Sequence, residues 1–382
     1  MTLLTTPFHT RTTALNRLNN WGAWAGYTTA RCYGDTAMEH TALRNTAGLI
    51  DISPMVKYRI TGPDAVDYLN RLTLRDVAKL APGRVQYTAW CDDAGHLLDD
   101  GTLFHLAAGS YLLCCQERHL PWLLDSAAGF DVGIADISDD LAVLAVQGPC
   151  AAWALRMAGL DVGALKPFQV ADMAFQGGTI TISRTGFTGD LGYEVWVDPS
   201  FAVPLWDAVM QGGALRGVCA VGSDALNPAR IEAGFIITNM DFVPADQAVR
   251  EDRARKPQEM GLDWMIAWDK GHFTGRRALR RQGDWALVAL DIDGNVGAEG
   301  ALIYADRKVE VGVVTSGAWS PTTKRNIGLA QVRRAHADSA ALWVEVYAPR
   351  ELQYAKLMLK ATPTQRPFFT HLRRRATPPC DT

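Results

Sequence analysis

Between Arg184 and Val197 the chain reads RTGFTGDLGYEVWV, and no other stretch restricts its backbone as much. Gly186, Gly189 and Gly192 recur three residues apart. They describe a tight turn of the kind that glycine alone adopts without steric cost. A strand-like run with one acid, Glu194, leaves the turn at once. The spacing is G-x-x-G-x-x-G, which is not the dinucleotide fingerprint, and no P-loop lysine follows. Two readings stay open at this point: a backbone brought close to a flat ligand, or an exposed strand carboxylate.

A chain of 382 residues predicts two or three domains. Its net charge of −3 gives no basic field for nucleic acid. The basic run HLRRRATPP near the C-terminus is read as a solvated tail. The seven cysteines include no C-x-x-C, so neither a disulfide framework nor a metal-ligand spacing is suggested. The N-terminus lacks a signal-like apolar segment, and no apolar run reaches membrane length. A reducing, cytoplasmic compartment is expected, with no membrane partner.

Along the chain, MVKYRITG alternates as a strand. PDAVDYLNRLTLRDV follows as a helix with Ala65, Tyr68, Leu69 and Leu72 on one face. The stretch from Val85 to Gln116 reads as a meander turning at Asp93-Ala94-Gly95 and near Ala108-Gly109-Ser110. LAVLAVQGP is a buried strand, and CAAWALRMAGL and FAVPLWDAVMQGG are helices closed by glycine. From Trp285 onward, short strands alternate with turns, which predicts an all-β C-terminal domain. The stretch from Gly275 to Asp284 reads as a helical linker into it.

Three constellations could carry chemistry. Asp99 and Asp100 lie in a predicted strand, where their side chains point to opposite faces. Burying both is costly unless one reaches water and the other a polar site; a short loop with two solvated acids is the plain alternative. Glu194 is the second. In ALNPARIEAGF, Arg230 could clamp a carboxylate with its forked donors or form a surface ion pair. Most of the 12 tryptophans are read as packing residues. No H-E-x-x-H and no G-x-S-x-G occur.

Seven stretches in order along nearly the whole chain resemble the folate-dependent aminomethyltransferase family, that of the glycine cleavage T-protein and its demethylase relatives. They are EHTALRNTAGLIDIS, GHLLDDGTL, LAVQGP, RTGFTGDLGYEVWV, ARIEAG, FTGRRAL and GVVTSGAWSP. The resemblance implies an α+β fold with three domains in a ring around a central folate channel, the third a β-barrel. It places a folate-binding domain at 1–50 and 142–250 and an α+β domain carrying the Asp pair at 51–141. A helical linker is expected at 251–284 and the barrel domain at 285–382.

By the same resemblance the cofactor is tetrahydrofolate. Glu194 would accept from the adjacent N–H donors of the pteridine ring, with the glycine turn letting the backbone approach it. Arg230, Tyr87 and Phe187 would also contact folate, and Asp99 or Asp100 would assist transfer. The glycine cleavage pattern points to Asp99; strand alternation allows only one of the two to face the channel. No metal is implied.

The sequence departs from the family pattern at Pro54, Gly101, Phe187 and Thr238. These departures suit a relative that demethylates a small S-, N- or O-methyl donor to give 5-methyltetrahydrofolate. Trp24, Trp90 or Trp319 would then cage a cationic donor. The alternatives are the glycine cleavage aminomethyltransferase, which needs a lipoyl carrier protein as partner, and a non-catalytic folate-binding protein.

Overall fold

In the computed structural model, which describes residues 3–378, the strand leaving the glycine turn lies inside a six-stranded sheet. The order across this sheet is Val170–Phe175, Gly178–Ser183, Gly192–Val197, Ala142–Gln147, Gly48–Asp51 and Cys219–Ala220. Every residue of Ala142–Gln147 is buried, so the run LAVLAVQ is apolar on both faces. Leu144 and Val146 meet the helices Ala151–Met157 and Ala202–Gly213 through Leu155, Leu205 and Trp206. Ala145 meets Leu43 of helix Thr36–Asn45 and Ala225 and Ala229 of helix Ser223–Glu232 on the other side. A small sheet of Leu4–Thr5, Tyr27–Cys32 and Asn20–Trp24 precedes it.

The second unit is an antiparallel five-stranded sheet ordered Arg84–Cys91, Leu97–Ala107, Ser110–Cys115, Val56–Thr61 and Gly133–Asp136; the first three strands form a meander, and the earlier Val56–Thr61 and the later Gly133–Asp136 extend its far edge. Its turns hold Gly95 and Gly109 at positive φ, +79° and +63°. Helix Ala65–Leu72 buries Ala65, Tyr68, Leu69 and Leu72, the face expected from their spacing. The third unit is a closed six-stranded barrel, Trp285–Ile292, Arg325–Arg333, Val309–Ser320, Leu302–Ala305, Leu342–Arg350 and Gln353–Thr364. Residues 379–382, the end of the expected barrel segment, lie outside the described residues.

The three units share one apolar junction. Leu74, Ala89 and Leu97 from the second meet Ile231, Ile236 and Phe242 from the first, and Ala289, Ile327 and Leu329 from the barrel. The segment between them is not the helix expected from its sequence. It carries four short 3₁₀ turns, Glu251–Arg253, Pro257–Met260, Asp263–Met265 and Ala278–Arg280. The reason lies in where its backbone bonds go. Leu97 N–H donates to Arg255, Ala267 N–H to Leu74 and Thr274 N–H to Arg71, so the strap is spent on its neighbours instead of on helical i−4 partners. Met260, Met265, Phe273 and Leu279 are thereby pressed into the junction.

Candidate active site

The glycines of the turn are explained by a side chain. A Cβ on Gly186 or Gly192 would lie 2.0 or 2.2 Å from Oε1 of Gln147, the glutamine of LAVQGP. The two glycines make room for that amide, which is buried and donates to the carbonyls of Thr185 and Tyr193, both at 3.3 Å, while Thr188 donates to it at 3.1 Å. Gly189 has φ +74° and packs on Ala233 at the end of helix Ser223–Glu232. Gly186 and Gly192 are thus explained without a ligand: the space beside them is filled from within.

What the turn presents is Glu194. The Thr185 hydroxyl donates to Oε2 at 2.6 Å; Oε1 has no hydrogen bond among the described residues. Burial pushes this carboxyl up to about 7, against the pull of Thr185 and Ser183. Among the described residues no cation is paired with it. Beside it, Phe187 stacks on Phe235 with ring centroids 5.3 Å apart and planes 15° apart.

The Asp pair faces the same junction from the second unit, and its members differ sharply. Asp99 is fully buried. Its Oδ1 accepts from Thr238 Oγ1 at 2.5 Å and Asp100 N–H at 2.9 Å; its Oδ2 accepts from Glu117 N–H at 3.0 Å and lies 3.1 Å from His119 Nε2. All of its lone pairs are engaged. Asp100 is half-buried, accepts from Tyr87 Oη at 2.7 Å, and has its Oδ1 3.3 Å from the Thr238 hydroxyl. Burial and then the charge of Asp99 push Asp100 up to about 7, against the Tyr87 and Thr238 hydrogen bonds. Tyr87 itself is driven well above its ordinary range by burial and by Asp100. The geometry therefore favours Asp100, not the Asp99 that the family pattern suggested, as the group free to exchange a proton. Thr238, one of the four departures, sits between the two acids. Gly101, another, is required because a Cβ there would lie 2.1 Å from the carbonyl of Cys114.

Glu194 and the acid pair flank one strand. Cys114 feels the charge of Glu194, and its neighbour Cys115 feels those of Asp99 and Asp100. Trp196, two residues from Glu194, meets Phe104 edge-on at 5.0 Å and closes the seam between the two sheets.

Arg230 does not join this constellation. It is fully buried, and its five donors are taken by Asn227, the carbonyl of Phe235, Asp241, Ser316 and the sulfur of Met240. The carboxylate clamp expected from the sequence is corrected to a rivet between the first unit and the barrel. A second rivet lies nearby. Arg44 donates twice to Glu232, at 2.9 and 2.6 Å, while Ser320 of the barrel donates to the same carboxylate at 2.6 Å.

A cation that sequence reading missed is Arg366. Its guanidinium lies near Tyr87 and Asp241, where burial lowers its proton affinity, and it makes one hydrogen bond, to the carbonyl of Gly261 at 3.2 Å. An isolated arginine beyond the last strand carries no sequence signal. It belongs to a C-terminal strap that corrects the solvated-tail reading. Arg373 grips both oxygens of Asp190 in the glycine turn, at 2.5 and 2.6 Å, and Arg184 donates to the carbonyl of Ala376. The aromatic cage is corrected as well. Trp90 is buried in the core of the second unit, and Trp24 and Trp319 belong to two other sheets.

With this geometry in hand, comparison with known proteins gives one answer. Residues 9–270 match the GCVT N-terminal domain, and residues 286–369 match the glycine cleavage T-protein C-terminal barrel domain. The aminomethyltransferase of Geobacillus kaustophilus is 36% identical over 343 residues, covering 87% of this chain and 89% of its own. That of Bacillus subtilis is 34% identical, covering 87% of this chain and 90% of its own. The crystal structure of glycine cleavage system aminomethyltransferase T from Bartonella henselae superposes with a TM-score of 0.84 at 26% identity, covering 98% of this chain and 99% of that one. Fold and site thus define a transferase of one-carbon groups that uses tetrahydrofolate. The chain belongs to the aminomethyltransferase family of the glycine cleavage T-protein.

Proposed function

We propose that the protein moves a one-carbon unit from an S-aminomethyl donor to tetrahydrofolate: N5 and N10 each form a bond to the carbon and lose a proton, its bonds to nitrogen and sulfur break, and ammonia and the carrier thiol leave with those two protons, giving 5,10-methylenetetrahydrofolate. The observation that carries this reading is Asp100, a half-buried carboxyl held by Tyr87 and pushed up to about 7, with no cation paired to it among the described residues. Departure of an amine needs a proton, and the attacking nitrogen must lose one. An acid titrating near the working pH can give the first and take the second. A sulfonium donor leaves without a proton and would need such a group only to take the proton of the attacking nitrogen, not to give one. The methyl-donor reading also loses its aromatic cage, and the relatives above carry the name aminomethyltransferase.

The residues fit tetrahydrofolate as acceptor. Glu194 is half-buried and its Oε1 has no hydrogen bond among the described residues, which suits the paired N–H groups of a pteridine edge. Arg366 offers unengaged donors to an anionic part of the ligand. Tyr87 holds Asp100 by its hydroxyl, and Phe187 with Phe235 supplies an apolar wall. Tetrahydrofolate itself supplies the nucleophilic nitrogen. Excluding water from this junction strengthens each of these contacts.

The test is incubation of the purified protein with tetrahydrofolate and a panel of donors: an aminomethylated lipoyl carrier protein, a sulfonium, an N-methyl amine and an aryl methyl ether. Methylenetetrahydrofolate and ammonia from the carrier are expected. Faster formation of 5-methyltetrahydrofolate from any methyl donor would return the reading to a demethylase. Tight folate binding without any product would make the chain a binding protein.

A further inference from the structure

The hydrogen count around the acid pair assigns a proton to each group. Asp99 receives three donors, from Thr238, its neighbour's N–H and Glu117 N–H, and its remaining lone pair faces His119 Nε2 at 3.1 Å, an arrangement suited to a carboxylate without a proton of its own. Thr238 has one hydroxyl hydrogen and spends it on Asp99, the shorter of its two contacts. The remaining contact, between the Thr238 oxygen and Asp100 Oδ1, then needs a hydrogen from Asp100.

A buried anion needs a compensating charge. Among the described residues, the ion-pair partner of Asp99 is His119 alone. The side chain of His119 is 1% exposed, and its backbone N–H is fixed by Tyr58 Oη at 2.7 Å. Nε2 faces Asp99. Nδ1 is buried without a hydrogen bond and points at the carboxylate of Asp246, 3.8 Å away and 45% exposed. At 3.8 Å the Asp246 carboxylate is too far to accept a hydrogen bond, but it sets a second negative charge beside the ring, opposite Asp99. The loop bearing Asp246 is held in place by Ala245 N–H, which donates to the carbonyl of Leu97, two residues before Asp99. Trp90 packs edge-on to the imidazole, with ring centroids 5.6 Å apart.

We infer that His119 is a positioning residue for the carboxyl pair: wedged as an imidazolium between Asp99 and Asp246, it holds Asp99 ionised and leaves the exchangeable proton on Asp100. This rests on the reading of Asp100 as the acid of transfer. The other titratable groups that face the pair are Tyr87 on Arg84–Cys91, Cys115 at the end of Ser110–Cys115, and Asp241 on the loop that carries Thr238. None of them is a cation; Arg366 lies beside Tyr87 and Asp241 but forms no ion pair with Asp99 or Asp100 among the described residues. Removing His119 therefore removes the group paired with Asp99, and proton binding by the acids becomes tighter.

The experiment titrates the carboxyl carbons of 13C-aspartate-labelled, ligand-free protein by NMR, with the Asp100→Asn variant used to assign the signal. It needs no knowledge of the donor. In the parent protein one Asp carboxyl titrates near neutral pH. In His119→Gln that titration moves up by roughly 1 pH unit or more, the usual effect of losing an opposite charge at contact distance. Asp246→Asn, a change at a partly exposed site, moves it the same way by less. The acid limb of the pH–rate profile shifts in parallel while KM for tetrahydrofolate stays constant. An unchanged titration in folded His119→Gln, or in Asp246→Asn if the first variant does not fold, overturns the inference. A shifted titration in a protein inactive toward every donor would leave the proton assignment standing and reject the proposed reaction instead.

Discussion

Glu232 and Glu194 are the same residue type in the same domain, both withdrawn from water, and they titrate in opposite directions. Burial alone would raise Glu232, but His40, Arg44 and Ser320 outweigh it and hold the carboxyl down at about 2. Glu194 meets two hydroxyls and no cation, and burial carries it up to about 7. Asp100 follows Glu194, with Asp99 adding to the rise. The difference separates structure from chemistry. A carboxylate whose charge is matched within the fold is a rivet. One left unmatched costs stability in the free protein and keeps its hydrogen-bonding capacity for something else.

The largest effect is expected on the matched side. Glu232→Gln leaves Arg44 buried with a neutral partner, which should cost about 3–5 kcal/mol in urea denaturation. A loss below 1 kcal/mol would mean that the rivet is dispensable. The pH dependence has a definite sign. Glu232 is depressed from 4.5 to about 2, so its contribution is complete above pH 4.5 and lost as the pH falls towards 2. The parent protein should weaken through that window more steeply than the variant. Arg230→Lys belongs to this side too. It should lower stability and leave the tetrahydrofolate affinity of the folded protein unchanged.

On the unmatched side, Asp100→Asn should slow single-turnover transfer by about 10²–10⁴-fold with tetrahydrofolate affinity nearly intact. Asp99→Asn replaces one acceptor oxygen by an NH2 that faces fixed donors, so stability should suffer first. Equal loss of rate per folded molecule in both variants would erase the distinction drawn between them.

Glu194→Gln should weaken tetrahydrofolate binding by roughly 1–3 kcal/mol, measured by calorimetry. The same change should stabilise the ligand-free protein at pH 8. A carboxyl raised from 4.5 to about 7 costs stability increasingly as the pH rises through that interval, and at pH 8 the cost is complete. At pH 4 the two proteins should melt together. A variant that both binds folate normally and melts as the parent does at pH 8 would remove Glu194 from the site.

The smallest effect is expected at Phe187→Tyr, which restores the hydroxyl of the family pattern. The ring already stacks on Phe235, so tetrahydrofolate affinity should change by less than about 1 kcal/mol.

Much of this was legible in the chain. Amphipathic spacing located the helix Ala65–Leu72, and two glycines marked the hairpins of the second sheet. Short strands from Trp285 onward announced a β domain, and seven motifs in order named the family. Other motifs were found for the wrong reason. Arg230 stood out as a candidate ligand clamp, yet Ser316 lies 86 residues further on and nothing local reveals that the two meet. The glycines stood out as well, but Gln147, which fills the space they leave, lies on another strand. The linker failed because helix propensity lost to backbone bonds with distant strands.

The sequence alone determined the elements, the family and the set of carboxylates available, since propensity, periodicity and residue order are local properties. Only the tertiary structure decided which carboxylate is matched. Asp99 and Asp100 are neighbours in the chain with the same side chain. What distinguishes them is a set of donors from positions 18, 20 and 139 residues away, all converging on the first. Charge compensation is a sum over space, and until the chain closes on itself that sum has no value.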